Sequence, residues 1–293
     1  MSTPSIAVVG PGAVGSFLAA HLAAAGREVV ACGRRRFERY VIESTQFPAD
    51  QPARVEIDPD RVDPVDVVLV CVKVTQTPTV GPWLARLCGP ETVVVSVQNG
   101  IESEDLLRPL APRGDVVPSV VYCGVQLLEP GHVRHTNSAR LVLPDSDPAR
   151  RAASAFDASI VRIRLAEDFR TEAWRKLGVN VTVNGITALT NRTTDVFQRP
   201  DTGRLARDLL RECWHIARLD GADLDDDAAD EMVAGLIERP IGAGTSMLYD
   251  RRAGRATEHD AIYGAVVRAA ERVGADAPLA RTVQTLLAAG DPG

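Results

Sequence analysis

The sequence predicts an α/β protein, with a doubly wound parallel sheet at the N-terminal end and an all-helical C-terminal domain. Three observations predict it. Short apolar runs alternate with helical patterns through the first half, the signature of parallel strands joined by crossover helices. A glycine-rich turn, Gly10-Pro11-Gly12-Ala13-Val14-Gly15, stands between an apolar run and a helical run. From Asp168 onward strand signals fade and long helical patterns take over.

The first apolar run, Ile6–Val9, is followed by the glycine turn and by residues 16–25 with helical periodicity, stopped at Gly26. Strand, glycine turn and helix in that order form a dinucleotide fingerprint. Gly10 permits the tight turn, Gly12 leaves room for a pyrophosphate against the backbone, and Gly15 lets helix and strand pack closely. The free N–H groups of the helix start favour phosphate. An ordinary Gly-rich turn would need none of this order. The second run, Val29–Cys32, ends where an NAD-binding chain usually places Asp or Glu for the ribose diol, but Gly33, Arg34, Arg35 and Arg36 stand there. Guanidinium groups bind a 2′-phosphate that a carboxylate would repel, so the expected cofactor is NADP(H), with Arg34 as the 2′-phosphate contact. The alternative is a solvated basic helix start.

Residues 67–72 and 93–97 are β-branched runs of the kind buried on both faces. Their carboxyl ends should face the cofactor, the first ending at Lys73 and the second at Gln98, Asn99 and Gly100. Lys73 could equally be a surface lysine, and Asn99-Gly100 a turn pair. Residues 116–121, Val133 and 141–143 suggest that the sheet ends in antiparallel or mixed pairings. Pro144 and Pro148 bracket the approach to a helix, and residues 160–165 alternate as a last strand. The composition shift at 165–168 divides the chain into a cofactor-binding domain, 1–167, and a helical substrate and catalytic domain, 168–293. Helices are expected over 171–189, 203–219, 225–237, 258–273 and 279–288. The acidic patch Asp223, Asp225, Asp226 and Asp227 suits a solvated helix start.

Composition narrows the function classes. A length of 293 residues accommodates two domains with cores, and a net charge of −6 gives no reason to expect nucleic acid or an anionic membrane as a partner. No apolar segment reaches membrane-span length, and residues 1–4 before the first strand leave no room for a signal peptide, so a cytoplasmic location is expected. Cys32, Cys71, Cys88, Cys123 and Cys213 are scattered without metal or disulfide spacing and read as small hydrophobes. No metal is expected. Monomer and homodimer both stay open.

Two constellations carry chemistry in the helical part. In the Pro-free run through Glu172, Trp174, Arg175, Lys176 and Leu177, the side chains of Lys176, Asn180 and Asn184 fall on one helical stripe, drifting only about 40° per step. Asn is a poor helix-interior residue, so an amine and two amides on one stripe suggest a face that meets a ligand rather than solvent alone. The second is Ser246-Met247-Leu248, leading to Gly254 and then Thr257-Glu258, where Thr257 can cap a helix beginning at Glu258. Ser246 could also be an ordinary cap, and Glu258 an ordinary first-turn acid. With the opening Gly-x-Gly-Ala-x-Gly and the Asn99-Gly100 strand end, these motifs make the chain resemble the ketopantoate reductase (2-dehydropantoate 2-reductase) family over nearly its whole length.

The resemblance implies a Rossmann-type domain plus a helical domain with the active site in the cleft between them. It implies an oxidoreductase that reduces a small-molecule 2-oxo acid with NADPH, 2-dehydropantoate to pantoate, a step toward pantothenate. By position, Lys176 corresponds to the proton donor, and Asn99, Asn180, Asn184 and Ser246 to residues that hold substrate. Lys73, Asn99 and Glu258 match positions near the cofactor and the reaction centre, and Arg34 the 2′-phosphate arginine. The chemistry agrees: hydride addition builds charge on the ketone oxygen, which an ammonium can stabilise and protonate, and a carboxylate, for which Glu258 is the candidate, keeps that amine charged.

Four positions depart from the family pattern. Gly185 follows Asn184 where Pro is common, Thr194 and Ala243 stand where further substrate-side Asn residues are expected, and Tyr263 stands where Asn is frequent. Gly185, Thr194 and Ala243 favour a second reading, a family member that reduces another 2-oxo acid or related carbonyl. A third is a non-catalytic NADP(H)-binding sensor, against which Lys176 and Glu258 argue.

Overall fold

The computed structural model describes residues 3–237, 242 and 244–292. The chain divides into two compact units, one comprising Met1–Gln98 and Ser103–Phe169, the other Asn99–Glu102 and Arg170–Gly293.

The first unit is built on a six-stranded, all-parallel sheet. In chain order its elements begin with β1 (Ile6–Val9), α1 (Ala13–Ala24), β2 (Val29–Cys32), β3 (Arg39–Glu43), β4 (Ala49–Pro52), β5 (Val55–Glu56), β6 (Val67–Val70), α2 (Gly81–Leu87), β7 (Val93–Ser96), α3 (Ser103–Leu107) and β8 (Asp115–Pro118). The order across the sheet is β5-β2-β1-β6-β7-β8, stepping outward from β1 in both directions as a doubly wound sheet does. Successive side chains of a strand point to opposite faces, and the core follows that rule. Ile6, Val8, Leu69, Val93 and Val95 pack with Phe17, Leu18 and Leu22 of α1. Ala7, Val9, Val68, Val70 and Val94 pack with Leu84, Leu87 and Leu107 on the opposite face.

A second sheet corrects the expectation that the later strands end the first. It contains β9 (Val120–Glu129), β10 (His132–Pro144) and β11 (Arg162–Ala166), with α4 (Asp147–Ser154) before the last strand. Its order is β11-β10-β3-β4, with β9 antiparallel to β10. Of the region expected to close the main sheet, only β8 joins it, in parallel with β7. Pro148 lies in the first turn of α4, where its missing N–H costs nothing.

The second unit is helical: α5 (Phe169–Thr190), α6 (Pro200–Leu219), α7 (Asp226–Ile237), α8 (Ser246–Arg252), α9 (Ala265–Val273) and α10 (Pro278–Ala289). Its core gathers Trp174, Leu177, Val181, Leu210, Trp214, Ile262, Tyr263, Val266 and Val283. A Cβ at Gly178 would stand 2.5 Å from Nε1 of Trp214 and 2.8 Å from Leu210, so the bare glycine lets α5 and α6 approach closely. The helix expected over 258–273 is not one α-helix. Residues Asp260–Gly264 form a π-helical turn, and α9 follows at Ala265. All five cysteines are free thiols; Cys32, Cys88 and Cys213 are buried, while Cys71 and Cys123 are half-buried.

Candidate functional site

The glycine turn follows β1 directly. Gly10 has φ of +92°, a conformation that a side chain disfavours, and an added Cβ would run into Val72. A Cβ at Gly15 would overlap the carbonyl oxygen of Gly10. Gly12 is different. A Cβ there would meet nothing within 4 Å, so its surroundings leave space for a phosphate group. Gly12 also precedes α1 as its N-cap without a side-chain cap, leaving a helix start of the kind that anions occupy. Pro11 accepts a bond from Ser16 Oγ to its carbonyl, 2.9 Å, which braces the turn. These features fit the diphosphate of a dinucleotide.

The three neighbouring strand ends meet this turn. Val9 of β1 is in register with Cys32 of β2 and Val70 of β6. A Cβ on Gly33 would stand 2.9 Å from Pro11, so the segment after β2 runs against the glycine turn. Arg34, Arg35 and Arg36 are exposed there. They lie in a loop leading to β3, not in the helix start held open as an alternative. Arg36 is engaged, donating to the carbonyl of Val55 at 3.1 Å and to Glu56 at 3.4 Å.

Lys73 does not sit on the strand tip. The strand stops at Val70, and Lys73 precedes a 3₁₀ segment, Val74–Val80, as its N-cap. The tip of β7 is held by Gln98, which is buried. Its amide donates to Val72 O at 3.1 Å and Thr77 Oγ1 at 2.9 Å, and its oxygen accepts from Ser96.

Asn99 falls in the helical unit, although β7 leads into it. Local geometry explains why. Gly100 has φ of +97° and lies so close to Ala261 that a Cβ would stand 2.8 Å from its carbonyl oxygen. Arg268 then clamps Glu102, with Nη2 2.6 Å from Oε2, and also pairs with Asp260. Glu102 first, and Asp260 with it, hold the guanidinium well above its ordinary range. Residues Asn99–Glu102 are thereby tied to the segment around the π-helical turn.

Three of the predicted side chains form a chain of hydrogen bonds within this unit. Asn99 Nδ2 donates to Glu258 Oε2 at 3.0 Å, and Asn180 Nδ2 reaches Asn99 Oδ1 at 3.5 Å. Glu258 is only 4% exposed, Asn180 6% and Asn184 4%. Lys176, half-buried, lies one turn before Asn180 on α5. Among the described residues Asn184 makes no side-chain hydrogen bond. Ser246 is exposed at the first turn of α8, whose cap is supplied by Thr245 through its bond from Leu248 N at 3.2 Å. The capping role weighed for Ser246 thus belongs to its neighbour.

Thr257 does not cap the following helix as expected. Its backbone N–H and hydroxyl go to Asp291 at 2.8 and 3.1 Å, which fastens the residue before Glu258 to the end of α10. Of the four departures, Thr194 opens a 3₁₀ segment and is buried, whereas Ala243 lies outside the described residues. Gly185 and Tyr263 contact each other: Gly185 N donates to the Tyr263 hydroxyl at 2.8 Å. Gln98, Glu102, Arg268 and Asp291 were not singled out for these roles. Only Gln98 carried a usable signal, a polar residue ending an apolar strand.

Comparison with known proteins points the same way. The chain matches the family described as Ketopantoate reductase PanE/ApbA over residues 6–148 and Ketopantoate reductase PanE/ApbA C terminal over residues 168–291. It is 40% identical to a 2-dehydropantoate 2-reductase of Mycobacterium tuberculosis over 292 residues, covering 98% of each chain. Among solved structures it resembles a 2-dehydropantoate 2-reductase from Geobacter metallireducens, with a TM-score of 0.91, 26% identity, and coverage of 97% of this chain and 99% of that one. A dimeric ketopantoate reductase from Staphylococcus aureus has a TM-score of 0.88 at 27% identity, with 98% of each chain covered.

Proposed function

The chain belongs to the ketopantoate reductase PanE/ApbA family, and from that premise we propose that it is an NADPH-dependent 2-dehydropantoate 2-reductase. The observation that carries the reading is the buried cluster in the helical unit, where hydrogen bonds join Asn99 and Glu258 to Asn180 of α5, the helix that also carries Lys176 and Asn184.

In this reading Gly10, Pro11, Gly12, Ala13, Val14 and Gly15 hold the dinucleotide, their backbone N–H groups facing its diphosphate. Arg34 pairs with the 2′-phosphate, and Lys73, Asn99 and Glu258 lie on the cofactor side of the reaction centre. When bound, NADPH supplies the hydride that reduces the carbonyl carbon. Lys176 holds its proton against the carbonyl oxygen and releases it as negative charge builds there, a contribution of about 10²–10⁴-fold for a general acid. Glu258, buried and fixed by Asn99, keeps that amine protonated before the reaction. Asn99, Asn180, Asn184 and Ser246 offer uncharged donors that orient the carboxylate and hydroxyl of the substrate without competing for the proton.

The pairing of Gly185 with Tyr263 favours a second reading, reduction of a differently shaped 2-oxo acid. One assay separates the readings. Purified protein is mixed with NADPH and, in turn, 2-dehydropantoate, 3-methyl-2-oxobutanoate and pyruvate, and loss of nicotinamide absorbance is followed. Fast turnover with 2-dehydropantoate supports the first reading. Turnover confined to the other acids supports the second. Tight NADPH binding without turnover overturns both and leaves a sensor.

A further inference from the structure

Tyr263 takes hold of both ends of one rung of α5. Its hydroxyl accepts the N–H of Gly185 at 2.8 Å and donates to the carbonyl of Val181 at 2.6 Å. These two backbone groups are four residues apart, the pair that an α-helix bonds directly. A side chain that enters the ladder in this way bends or loosens the helix locally. The rung lies beside the two amides of the site, for Val181 follows Asn180 and Gly185 follows Asn184.

The arrangement is specific in size as well as in bonding. A Cβ at residue 185 would overlap the tyrosine hydroxyl and stand 2.7 Å from Cζ of the ring and from Val283, so this tyrosine requires a glycine there. Tyr263 is 0% exposed, and burial pushes its hydroxyl above the usual range. It therefore remains a donor throughout the working pH range. The residue sits in the π-helical turn Asp260–Gly264, which begins two residues after Glu258. Such turns recur at functional sites. One side chain thus links the segment carrying Glu258 to the stretch of α5 between Asn180 and Asn184.

We propose that Tyr263 is a positioning and specificity-determining residue, which, by bridging Val181 and Gly185, sets the spacing at which Asn180 and Asn184 are presented to the 2-oxo acid. The inference rests on the reading that these amides hold the substrate.

The test is Tyr263→Phe, which keeps the ring and removes only the hydroxyl. Its thermal melt and NADPH affinity are measured beside kcat and KM for 2-dehydropantoate, 3-methyl-2-oxobutanoate and pyruvate. The expected result is a rise of about tenfold in KM for the preferred acid, with kcat changed less than about threefold and NADPH affinity unchanged. The ratio of kcat/KM between acids should shift by a similar factor. A folded variant with the wild-type KM and the wild-type ratios overturns the inference while leaving the proposed activity standing. Absence of turnover with every acid in the wild-type protein removes the activity and this inference together. Should Tyr263→Phe fail to fold, Tyr263→Met, a flexible side chain that also lacks the hydroxyl, takes its place, and wild-type KM and acid preference in that folded variant overturn the inference.

Discussion

The two units prepare for ligands by opposite means. In the sheet unit the candidate site is mostly backbone, and its shape comes from side chains that are missing: Gly10 and Gly15 have no room for a Cβ, while Gly12 has empty space where one would go. In the helical unit the candidate site is mostly side chain, with buried carboxylate and amides held by one another and by residues further back. A backbone site tolerates no added atom but is indifferent to most distant changes. A side-chain site tolerates bulk at its edges and depends on how each group is held.

Several measurements would break or sharpen this contrast. The largest effect is expected from Gly15→Ala, because the new methyl overlaps the Gly10 carbonyl. It should cost about 3 kcal/mol or more in urea unfolding and abolish NADPH binding. Gly12→Ala should stay within about 1 kcal/mol of wild-type stability yet lose NADPH affinity, and equal stability losses for the two variants would refute the division between packing and ligand glycines. Next is Arg34→Ala, expected to weaken NADPH binding by about 1.5–3 kcal/mol, the range for a charge-assisted bond, while NADH binding is little changed. Equal weakening of both would remove the 2′-phosphate role.

A pH effect follows, confined to the sheet unit. His21 of α1 is 5% exposed, meets Phe17 edge to face while Phe17 in turn stacks on His135, and has its Nε2 buried without a hydrogen bond. Burial chiefly, and His135 after it, lower its pKa from 6.5 to about 4. The folded state therefore binds this proton less readily than the unfolded chain, so stability is intact above pH 6.5 and declines as pH falls toward 4. At pH 5 the loss is about 2 kcal/mol. Denaturation of wild type and His21→Leu at pH 7.5 and pH 5 should show that excess loss only in wild type. The smallest effect is expected in the helical unit from Glu102→Gln, which weakens the partly exposed clamp on Arg268. About 1 kcal/mol or less of stability should go, with a modest rise in substrate KM as Asn99 loosens.

The same contrast explains what was legible in the sequence. The glycine turn could be read because backbone constraints demand particular residue types at fixed spacing, and the Lys176, Asn180 and Asn184 stripe because helical periodicity places them together without tertiary information. The hairpin of β3 and β4 could not. Its second strand is Ala-Asp-Gln-Pro, with none of the β-branched or aromatic residues that mark strands, and β3 finds its parallel partner in β10 about ninety residues away. The same holds for Asn99, whose attachment to the helical unit depends on Gly100 packing on Ala261 and on the Glu102–Arg268 pair. Gly185 and Tyr263 read as two separate departures. They are one contact, visible only when the residues are brought together.

The central claim concerns the amine at position 176, and pre-steady-state hydride transfer in Lys176→Ala tests it most directly. With saturating NADPH and 2-dehydropantoate, the account predicts that the rate falls by about 10²–10⁴-fold while NADPH affinity and the melting temperature stay at their wild-type values. A rate within a few-fold of wild type would contradict it.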